Sequence, residues 1–570
     1  MGRGSGPVAE DLARNRSACG SVRRGLAHNP DNARAWIVVG LQDRIFPGSL
    51  PGFSQFRCKE VRAELRRLIM RLHLLHLPTL LLLLGGTLCA RDHVLTIGGG
   101  YSPAGNQVSL ERNVLFFEKL RAEKLPDGTS HDLYFADGTS PRPDLQFRRE
   151  GEEVPRANLL MAGLFGSEKN LANHYRNNVL KGVRDISSPA ALEKWFQEEG
   201  PKLAAGDRLV LYVTAHGGRS GSKGNKYNTK IWMWDRKTLE ASRLAGFLAG
   251  LPEGVKVMTV MVQCFSGGFS HLIFEENNQK KEGANRSICG FYATVCDREA
   301  AGCTPDVNEA NYDEFSSHFW AALRGRTRME KEITDCDYDG DGRVSFEEAH
   351  AYAILTSRNI DIPVRTSGAF LRVHSRLRSE KKEDRELLGR ATPYAEILDR
   401  AGPVDKAVLE GLSARLELEG KKRGTFAHEK ASKLGKEIQK VEGEKKEQKK
   451  KLDGVRTVIE RTILYRWPDL ENRHSSGAVR LLSEEKLQAE FVVAVEEHPR
   501  YSEWNRLKQE RGKLNDRELE LSREYANWRR FVRVFENVAY AVNLEKVADE
   551  DVVQAYQRLL EAEREGFSGN

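Results

Sequence analysis

The sequence lacks a strong imbalance of charge, because its 89 basic residues are nearly matched by 82 acidic ones. The formal net charge of the 570-residue chain is only +7. A domain that binds nucleic acid through a basic surface usually carries a marked excess of Lys and Arg. The composition therefore gives no case for nucleic acid as a partner.

Long apolar runs are also scarce, and the most prominent one is the leucine-rich segment 70–90. It has a basic start, a leucine-rich core and a small-residue end, as a secretory signal peptide has. Its apolar core is shorter than the roughly 20 residues that span a bilayer. We therefore expect a signal peptide, no stable membrane span after its removal, and a secreted or periplasmic protein. A short membrane anchor with a basic cytosolic flank is the alternative.

Residues 1–69, which precede this segment, lack a sustained helix or strand pattern and are rich in Arg and Gly. A signal peptide belongs at the start of a chain. We therefore expect translation to begin at Met70 and residues 1–69 to be non-structural upstream sequence. A start at Met1 is the alternative.

Cysteine is scarce as well, with eight residues in the chain and five of them after residue 90. An odd number of cysteines in an exported protein leaves one thiol unpaired. Cys296 and Cys303 flank the loop CDREAAGC and are candidates for a disulfide. Cys264 is then a candidate for the free thiol.

From residue 92 onward, apolar runs alternate with amphipathic helical stretches. Five of the runs have the composition of strands that are buried on both faces. This alternation predicts an α/β domain over residues 91–328, with a mostly parallel sheet and helices on both faces. Ser109 is the expected N-cap of the first helix.

Beyond residue 328 the character of the sequence changes. Residues 329–374 contain a carboxylate-rich loop followed by a helix, and residues 375–570 are highly charged with almost no strand pattern. Apolar residues at heptad spacing form two seams on either side of Pro468. The seams are Leu434, Ile438, Val441, Leu452, Val455 and Ile459, then Trp504, Leu507, Leu514, Leu521, Tyr525, Trp528, Val532 and Phe535. They predict a coiled-coil hairpin, a surface for a partner or for self-association.

Two of the buried-strand patterns end in a similar way. One leads into Cys264 followed by Phe-Ser-Gly-Gly, and the other leads into His216 followed by Gly217. Because a right-handed crossover makes the two strands neighbours, their carboxyl ends should meet at one edge of the sheet. A thiol is little ionised at neutral pH and needs a nearby imidazole to move its proton. The pair therefore predicts nucleophilic catalysis, whereas Cys264 taken alone would equally suit a buried core.

These motifs resemble the caspase-like superfamily of cysteine peptidases (clan CD), which includes legumains, caspases and metacaspases. The segment QCFSGG is similar to caspases in its Gln before Cys, and to legumains and metacaspases in Cys-x-Ser-Gly. The resemblance covers roughly residues 92–325. It implies a caspase-like fold and a cysteine endopeptidase that acts on a protein or peptide substrate. Cys264 would be the nucleophile, and His216 would act as the base or polarise the scissile carbonyl.

The resemblance also implies roles for residues around this pair. The backbone N–H groups of Cys264 and Gly217 would bind the oxyanion. Asn106 stands near the position at which legumains carry an Asn that orients the His, and a simple turn Asn is the alternative. These roles make the loop after the first strand part of the expected site.

Substrate preference is less closely tied to the family. Val108 stands where legumains carry an arginine that helps to recognise asparagine, whereas Asp297 and Glu299 would favour a basic substrate residue. Two other functions would use the same residues: a catalytically inert scaffold that presents the hairpin to a partner, and a peptide ligase. Labelling of Cys264 separates the first from a peptidase, and product analysis with an added amine separates the second.

The segment DYDGDGRVSFEE matches the 12-residue loop of an EF-hand. Loop positions one, three, five, seven and twelve are Asp337, Asp339, Asp341, Arg343 and Glu348. Arg343 would supply a backbone carbonyl, and Gly342 at position six would allow the sharp turn. The match predicts a structural or regulatory Ca²⁺ site, with an acidic surface turn as the alternative.

Overall fold

The structure is a computed structural model that describes residues 90–472 and 474–567. Residues 1–69 and nearly all of the expected signal peptide lie outside the described residues, so those expectations remain predictions. The strands are β1 (Asp92–Gly99), β2 (Ser130–Phe135), β3 (Leu145–Phe147), β4 (His174–Arg176), β5 (Val183–Asp185), β6 (Arg208–Gly218), β7 (Lys230–Met233), β8 (Lys237–Glu240), β9 (Lys256–Met261), β10 (Ile288–Tyr292) and β11 (Val364–Arg365).

The central sheet has the strand order β11-β10-β9-β6-β1-β2-β5, and along this path only β11 is antiparallel to its neighbour. The antiparallel strands β7 and β8 extend the sheet from the end of β6. Strands β3 and β4 form a small separate sheet. The expected mostly parallel α/β sheet is confirmed, and the five expected strands are β1, β2, β6, β9 and β10.

Helices cover both faces of this sheet. They are α1 (Val108–Lys124), α3 (Pro189–Glu198), α4 (Ala241–Ala249), α5 (Phe315–Arg324), α6 (Phe346–Thr356) and α7 (Thr366–His374). Helix α2 (Arg156–Phe165) instead packs in a separate cluster with Ile459 and Trp504. Successive residues of β6 point to opposite faces: Leu211 packs in a cluster with Leu244 of α4, and Tyr212 packs in another with Phe117 of α1. The N-cap expectation is wrong: α1 begins at Val108, and the Ser109 hydroxyl accepts the Thr304 N–H at 2.8 Å.

The remaining helices are α8 (Tyr394–Arg400), α9 (Pro403–Arg415), α10 (Arg423–Arg466), α11 (Ser476–Ser483), α12 (Glu485–Glu496), α13 (Tyr501–Val547) and α14 (Glu550–Glu563). The long helices α10 and α13 pack along each other and confirm the expected hairpin, which we call the helical arm. Lys445 and Gln448 interrupt the first apolar seam, and both find acidic partners on α13. Lys445 pairs with Glu518, and the Gln448 amide donates to Glu510 at 2.6 Å.

The chain returns to the sheet after the helical arm, which the sequence pattern did not predict. Glu563 of α14 is fully buried and accepts hydrogen bonds from the Thr366 hydroxyl and the Ser367 N–H, both at 2.7 Å. Arg208, at the start of β6, pairs with Glu565 at 2.8 Å. The described residues belong to one compact unit, in which 91–328, 329–374 and 375–567 are consecutive segments. Within this part of the chain, every helix is too short or too polar to cross a bilayer.

Candidate active site

His216 and Cys264 follow the same paired position of the neighbouring strands β6 and β9 by the same number of residues. Val213 of β6 pairs with Met261 of β9 in parallel register, and His216 and Cys264 each follow three residues later. A Cβ atom placed on Gly217 would lie 1.8 Å from the Cys264 carbonyl oxygen. The fold therefore brings the two residues to one edge of the sheet, and only glycine fits at position 217.

The hydrogen bonds of His216 decide which ring nitrogen carries a proton. Nε2 lies 2.9 Å from the Gly105 carbonyl oxygen and 2.9 Å from Oε1 of Gln107. Because a carbonyl oxygen only accepts, Nε2 is the protonated nitrogen and Nδ1 keeps a lone pair. Burial lowers the pKa of His216, and Tyr101 packs edge-on against the ring at 5.2 Å between centroids. His216 is therefore a neutral imidazole with an accepting Nδ1 at neutral pH.

Asn106 does not orient His216, which corrects the expectation from the sequence. Its Oδ1 accepts the Gly100 N–H at 3.0 Å, and its Nδ2 donates to Asp144 at 2.8 Å. The fully buried Asn106 side chain thus fixes the loop that follows β1. The contact to His216 comes from Gln107 instead. The adjacent amides Asn106 and Gln107 in GNQV are both candidates to orient His216. The sequence alone does not indicate which of the two side chains contacts it.

A left-handed turn holds Cys264 at the end of its strand. Phe265, the next residue, has a φ of +61°, which is uncommon for a residue other than glycine. Its N–H donates to the Arg298 carbonyl at 2.8 Å, and its own carbonyl accepts from the Thr229 hydroxyl at 3.0 Å. These two hydrogen bonds hold the turn and fix the backbone directly after Cys264.

The segment 296–303, which we call the covering loop, lies against the thiol of Cys264. Sγ accepts the Ala300 N–H at 3.3 Å and donates to the Ala300 carbonyl at 3.8 Å. Burial raises the pKa of this thiol to about 11. Among the described residues, no hydrogen bond joins Sγ to the His216 ring. At neutral pH Cys264 is therefore a neutral thiol whose hydrogen bonds go to the covering loop.

The expected disulfide between Cys296 and Cys303 is absent, and the five cysteines of the described chain are all free thiols. The physical reason is that the two ends of the covering loop have different surroundings. Cys296 lines a cavity beside the helical arm, whereas Cys303 packs against the apolar cluster that contains Leu145. Cys264 is free, as expected.

Asp297 and Arg298 of the covering loop line two cavities of the described structure. The acidic cleft has a volume of about 370 Å³ and lies between the covering loop and the helical arm. Its charged lining consists of Asp297, Glu299, Glu442 and Glu518 with Arg219 and Arg298. The cationic cavity, of about 400 Å³, is lined by Lys226, Arg298, Arg372, Arg529, Arg533 and only one carboxylate, that of Asp297. The predicted substrate residues Asp297 and Glu299 therefore meet in the acidic cleft.

The predicted calcium loop brings three of its carboxylates together. One oxygen each from Asp337, Asp339 and Asp341 lies within 4.8 Å of the others. Gly342 has a φ of +84°, in the left-handed region that the expected sharp turn requires. Oxygen ligands of this kind suit a hard cation such as Ca²⁺ or Mg²⁺. The Arg343 guanidinium lies 3.3 Å from Asp341 and offsets part of the negative charge.

Glu348 does not join this group, which departs from the EF-hand expectation. One of its oxygens accepts the Tyr338 N–H at 2.6 Å and the Asp339 N–H at 3.2 Å. The other accepts the Ser345 N–H at 2.8 Å, which completes a capping box at the start of α6. The Glu348 carboxylate thus accepts hydrogen bonds from backbone N–H groups, and it would have to give up some of these bonds to bind a cation.

The chain matches no family model, and no curated protein matches it. Among solved structures, it is similar to the crystal structure of protein GSU0716 from Geobacter sulfurreducens, with a TM-score of 0.29 and 11% identity. That similarity covers 48% of this chain and 92% of the other. A similarity at this level supports no inference about function.

Proposed function

We propose that the protein is a caspase-like cysteine endopeptidase, with Cys264 as the nucleophile and His216 as its partner in proton transfer. One observation carries the proposal. His216 and Cys264 each lie three residues after a paired position of the neighbouring parallel strands β6 and β9, and Gly217 lies against the Cys264 carbonyl. A nucleophile beside a base that a third group orients is the arrangement that covalent catalysis requires. Gly105 and Gln107 are the orienting groups in this chain.

The state of His216 suits both halves of the reaction. As sulfur attacks the scissile carbonyl, Nδ1 takes the thiol proton, and the imidazolium then gives it to the leaving amine as the C–N bond breaks. Both acceptors at Nε2 stabilise the imidazolium. The backbone N–H groups of Cys264 and Gly217 are the proposed donors to the oxyanion. Water then hydrolyses the thioester and frees Cys264.

The acidic cleft is the proposed subsite for a basic substrate residue. It carries four carboxylates against two arginines, and Glu299 is adjacent to Ala300, the residue that contacts Sγ. A Lys or Arg side chain would gain charge-assisted hydrogen bonds there. The wall formed by Glu442 and Glu518 belongs to the helical arm, so the arm would take part in substrate selection.

Peptide cleavage by the full chain tests this function. A library of fluorogenic peptides that differ only in the residue before the scissile bond should be cleaved best after Lys or Arg. We expect Cys264→Ala to reduce kcat/KM by at least about 10³-fold and His216→Ala to come close to that loss, because paired catalytic groups act as a unit. Cys336→Ala removes a buried thiol elsewhere and should leave cleavage unchanged.

Thiol reactivity gives a second test that also separates a peptidase from an inert scaffold. Because the pKa of Cys264 is raised to about 11, the thiolate fraction and the rate of alkylation by iodoacetamide should rise about tenfold per pH unit from pH 7 to 10. A bound basic peptide aldehyde should displace the covering loop and block labelling. An unreactive Cys264 across this range, together with no cleavage, would favour the scaffold. Amide products formed with an added amine would favour a ligase.

We also propose that Ca²⁺ binds the loop Asp337–Asp341 and modulates the protein. The specific observation in favour is the convergence of the three aspartate oxygens. When bound, the ion would supply charge neutralisation at the junction between α5 and α6. The loop precedes α6, and Glu347 of α6 is buried and paired with Arg365. A bound ion would therefore act next to a helix of the core.

A further inference from the structure

The cationic cavity collects basic side chains from four separate parts of the chain. Lys226 comes from the loop after β6, Arg298 from the covering loop, Arg372 from α7, and Arg529 and Arg533 from α13. Asp297 is the single carboxylate in its lining. Residues this far apart in sequence are brought together by the tertiary fold, so the cluster is not a local run of lysines on a solvated helix.

These cations are left almost without counter-charges. In the described part of the chain, Lys226, Arg298, Arg529 and Arg533 form no ion pair, and Arg372 has one weak pair with Glu536 at 3.6 Å. Nε of Arg298 and Nη2 of Arg372 are buried and have no hydrogen-bond partner. Buried charged donors are normally paired. The cavity thus contains two buried donor nitrogens that have no hydrogen-bond partner among the described residues.

Mutual repulsion adds to the cost of this arrangement. Burial, together with the neighbouring Arg372 and Arg529, holds the pKa of Arg533 well below its ordinary value. Cations held close together at partly buried positions repel one another and destabilise a fold unless an anion compensates them. A bound anion would remove both the repulsion and the unsatisfied donors.

We propose that the cationic cavity is a binding site for a compact polyanion, a small soluble molecule with two or more phosphate groups. Guanidinium groups form paired hydrogen bonds with phosphate oxygens, and Tyr227, Ser270 and Tyr525 add hydroxyl groups to the lining. A volume of about 400 Å³ is that of a small-molecule site. The proposed anion site is inferred from these lining residues and does not depend on the proposed peptidase activity.

The position of the cavity gives the ligand a structural role. Arg298 contributes its side chain to the cavity and its carbonyl to the turn at Phe265, next to Cys264. Arg529 and Arg533 belong to the helical arm. A polyanion that contacts both would clamp the helical arm to the covering loop.

Calorimetry on the full chain with inorganic tripolyphosphate tests the site, at an ionic strength held constant with sodium chloride. We expect one site per chain, with inorganic phosphate binding much more weakly. Arg533→Gln should raise the Kd at least about tenfold. The matched control is Arg517→Gln, an exposed arginine of the same helix that does not line the cavity, and it should leave the Kd unchanged. Equal Kd values for the two variants, or no binding to the wild type at millimolar concentration, would overturn the site.

Cys296 supplies a reporter inside the cavity. Saturating tripolyphosphate should slow its alkylation by iodoacetamide, as measured by peptide mass spectrometry, in the wild type and in Arg517→Gln but not in Arg533→Gln. Unchanged labelling of Cys296 in a tripolyphosphate-bound wild type would place the anion elsewhere and contradict the proposal. Sedimentation with vesicles of phosphatidylinositol bisphosphate, reversed by tripolyphosphate, would assign the cavity to a lipid headgroup and overturn the soluble ligand.

Discussion

Arg365 and Arg533 are two arginines of one compact unit with opposite surroundings. Arg365, next to β10 in the sheet, is buried among the carboxylates of Glu347, Asp405 and Glu563. Arg533, half-buried on the helical arm, faces other arginines and has no ion pair among the described residues. A cluster that balances its own charges holds the fold together. A cluster that leaves them unbalanced costs stability, and a bound anion would offset that cost.

The balanced cluster ties distant parts of the chain together. Arg365 donates to Glu347 of α6 and to Asp405 of α9, and its Nε lies 3.5 Å from Glu563 of α14. Glu347 is shared with Arg564, whose Nε lies 3.1 Å away. Burial alone would lower the pKa of Arg365, but the three carboxylates hold it well above its ordinary value. The cluster therefore joins the sheet edge to the helices before and after the helical arm.

Breaking the balanced cluster should have the largest effect. Arg365→Met leaves three carboxylates without their shared cation, so we expect a loss of about 3–5 kcal/mol in the free energy of unfolding. Urea denaturation followed by circular dichroism measures it. Arg480→Met removes an exposed ion pair with Glu484 and should change little. A loss of similar size in both variants would show that the cluster does not stabilise the fold.

The calcium loop is a second unbalanced cluster, of the opposite sign, and should give an intermediate effect. Ca²⁺ that binds only the folded chain stabilises it by about 2.7 kcal/mol at 100 times its Kd. A thermal scan of chelator-treated protein should therefore show a higher Tm after Ca²⁺ is added. Asp339→Asn combined with Asp341→Asn keeps side-chain oxygens for the local turns but removes two charges, and it should abolish the shift. No Ca²⁺-dependent shift in the wild type would exclude the site.

The parts of the fold that sequence could predict are those set by local periodicity. The buried runs before His216 and Cys264 are strands, and the heptad residues from Leu434 to Ile459 are buried in the hairpin. The return of Glu563 to the sheet could not be predicted, because its partners are nearly 200 residues away and its own helix is unremarkable in sequence. Strands β7 and β8 could not be predicted either, because they are short and their pairing depends on the end of β6.

The candidate site divides in the same way. Pattern and topology place His216 and Cys264 at one edge, but the choice between Asn106 and Gln107 depends on how one loop turns. The covering loop was expected to carry a disulfide, and it contacts the thiol instead. The cationic cavity has no sequence signal at all, since its five cations come from four parts of the chain.

The smallest expected effect, that of Arg533→Met, tests the difference between the two clusters most directly. Removing a half-buried side chain usually destabilises a protein, whereas here we expect a gain in stability. Arg533→Met takes a cation from the unbalanced cluster while keeping an apolar stem of similar length. In a buffer without phosphate, we expect the free energy of unfolding to rise by about 1 kcal/mol, because repulsion from Arg372 and Arg529 is relieved. With saturating tripolyphosphate the order should reverse, since the wild type alone gains the full binding energy. Parallel urea titrations with and without the anion measure both values, with Arg365→Met as the variant that loses stability in either buffer. A destabilised Arg533→Met in the buffer without phosphate would mean that Arg533, like Arg365, is a structural cation.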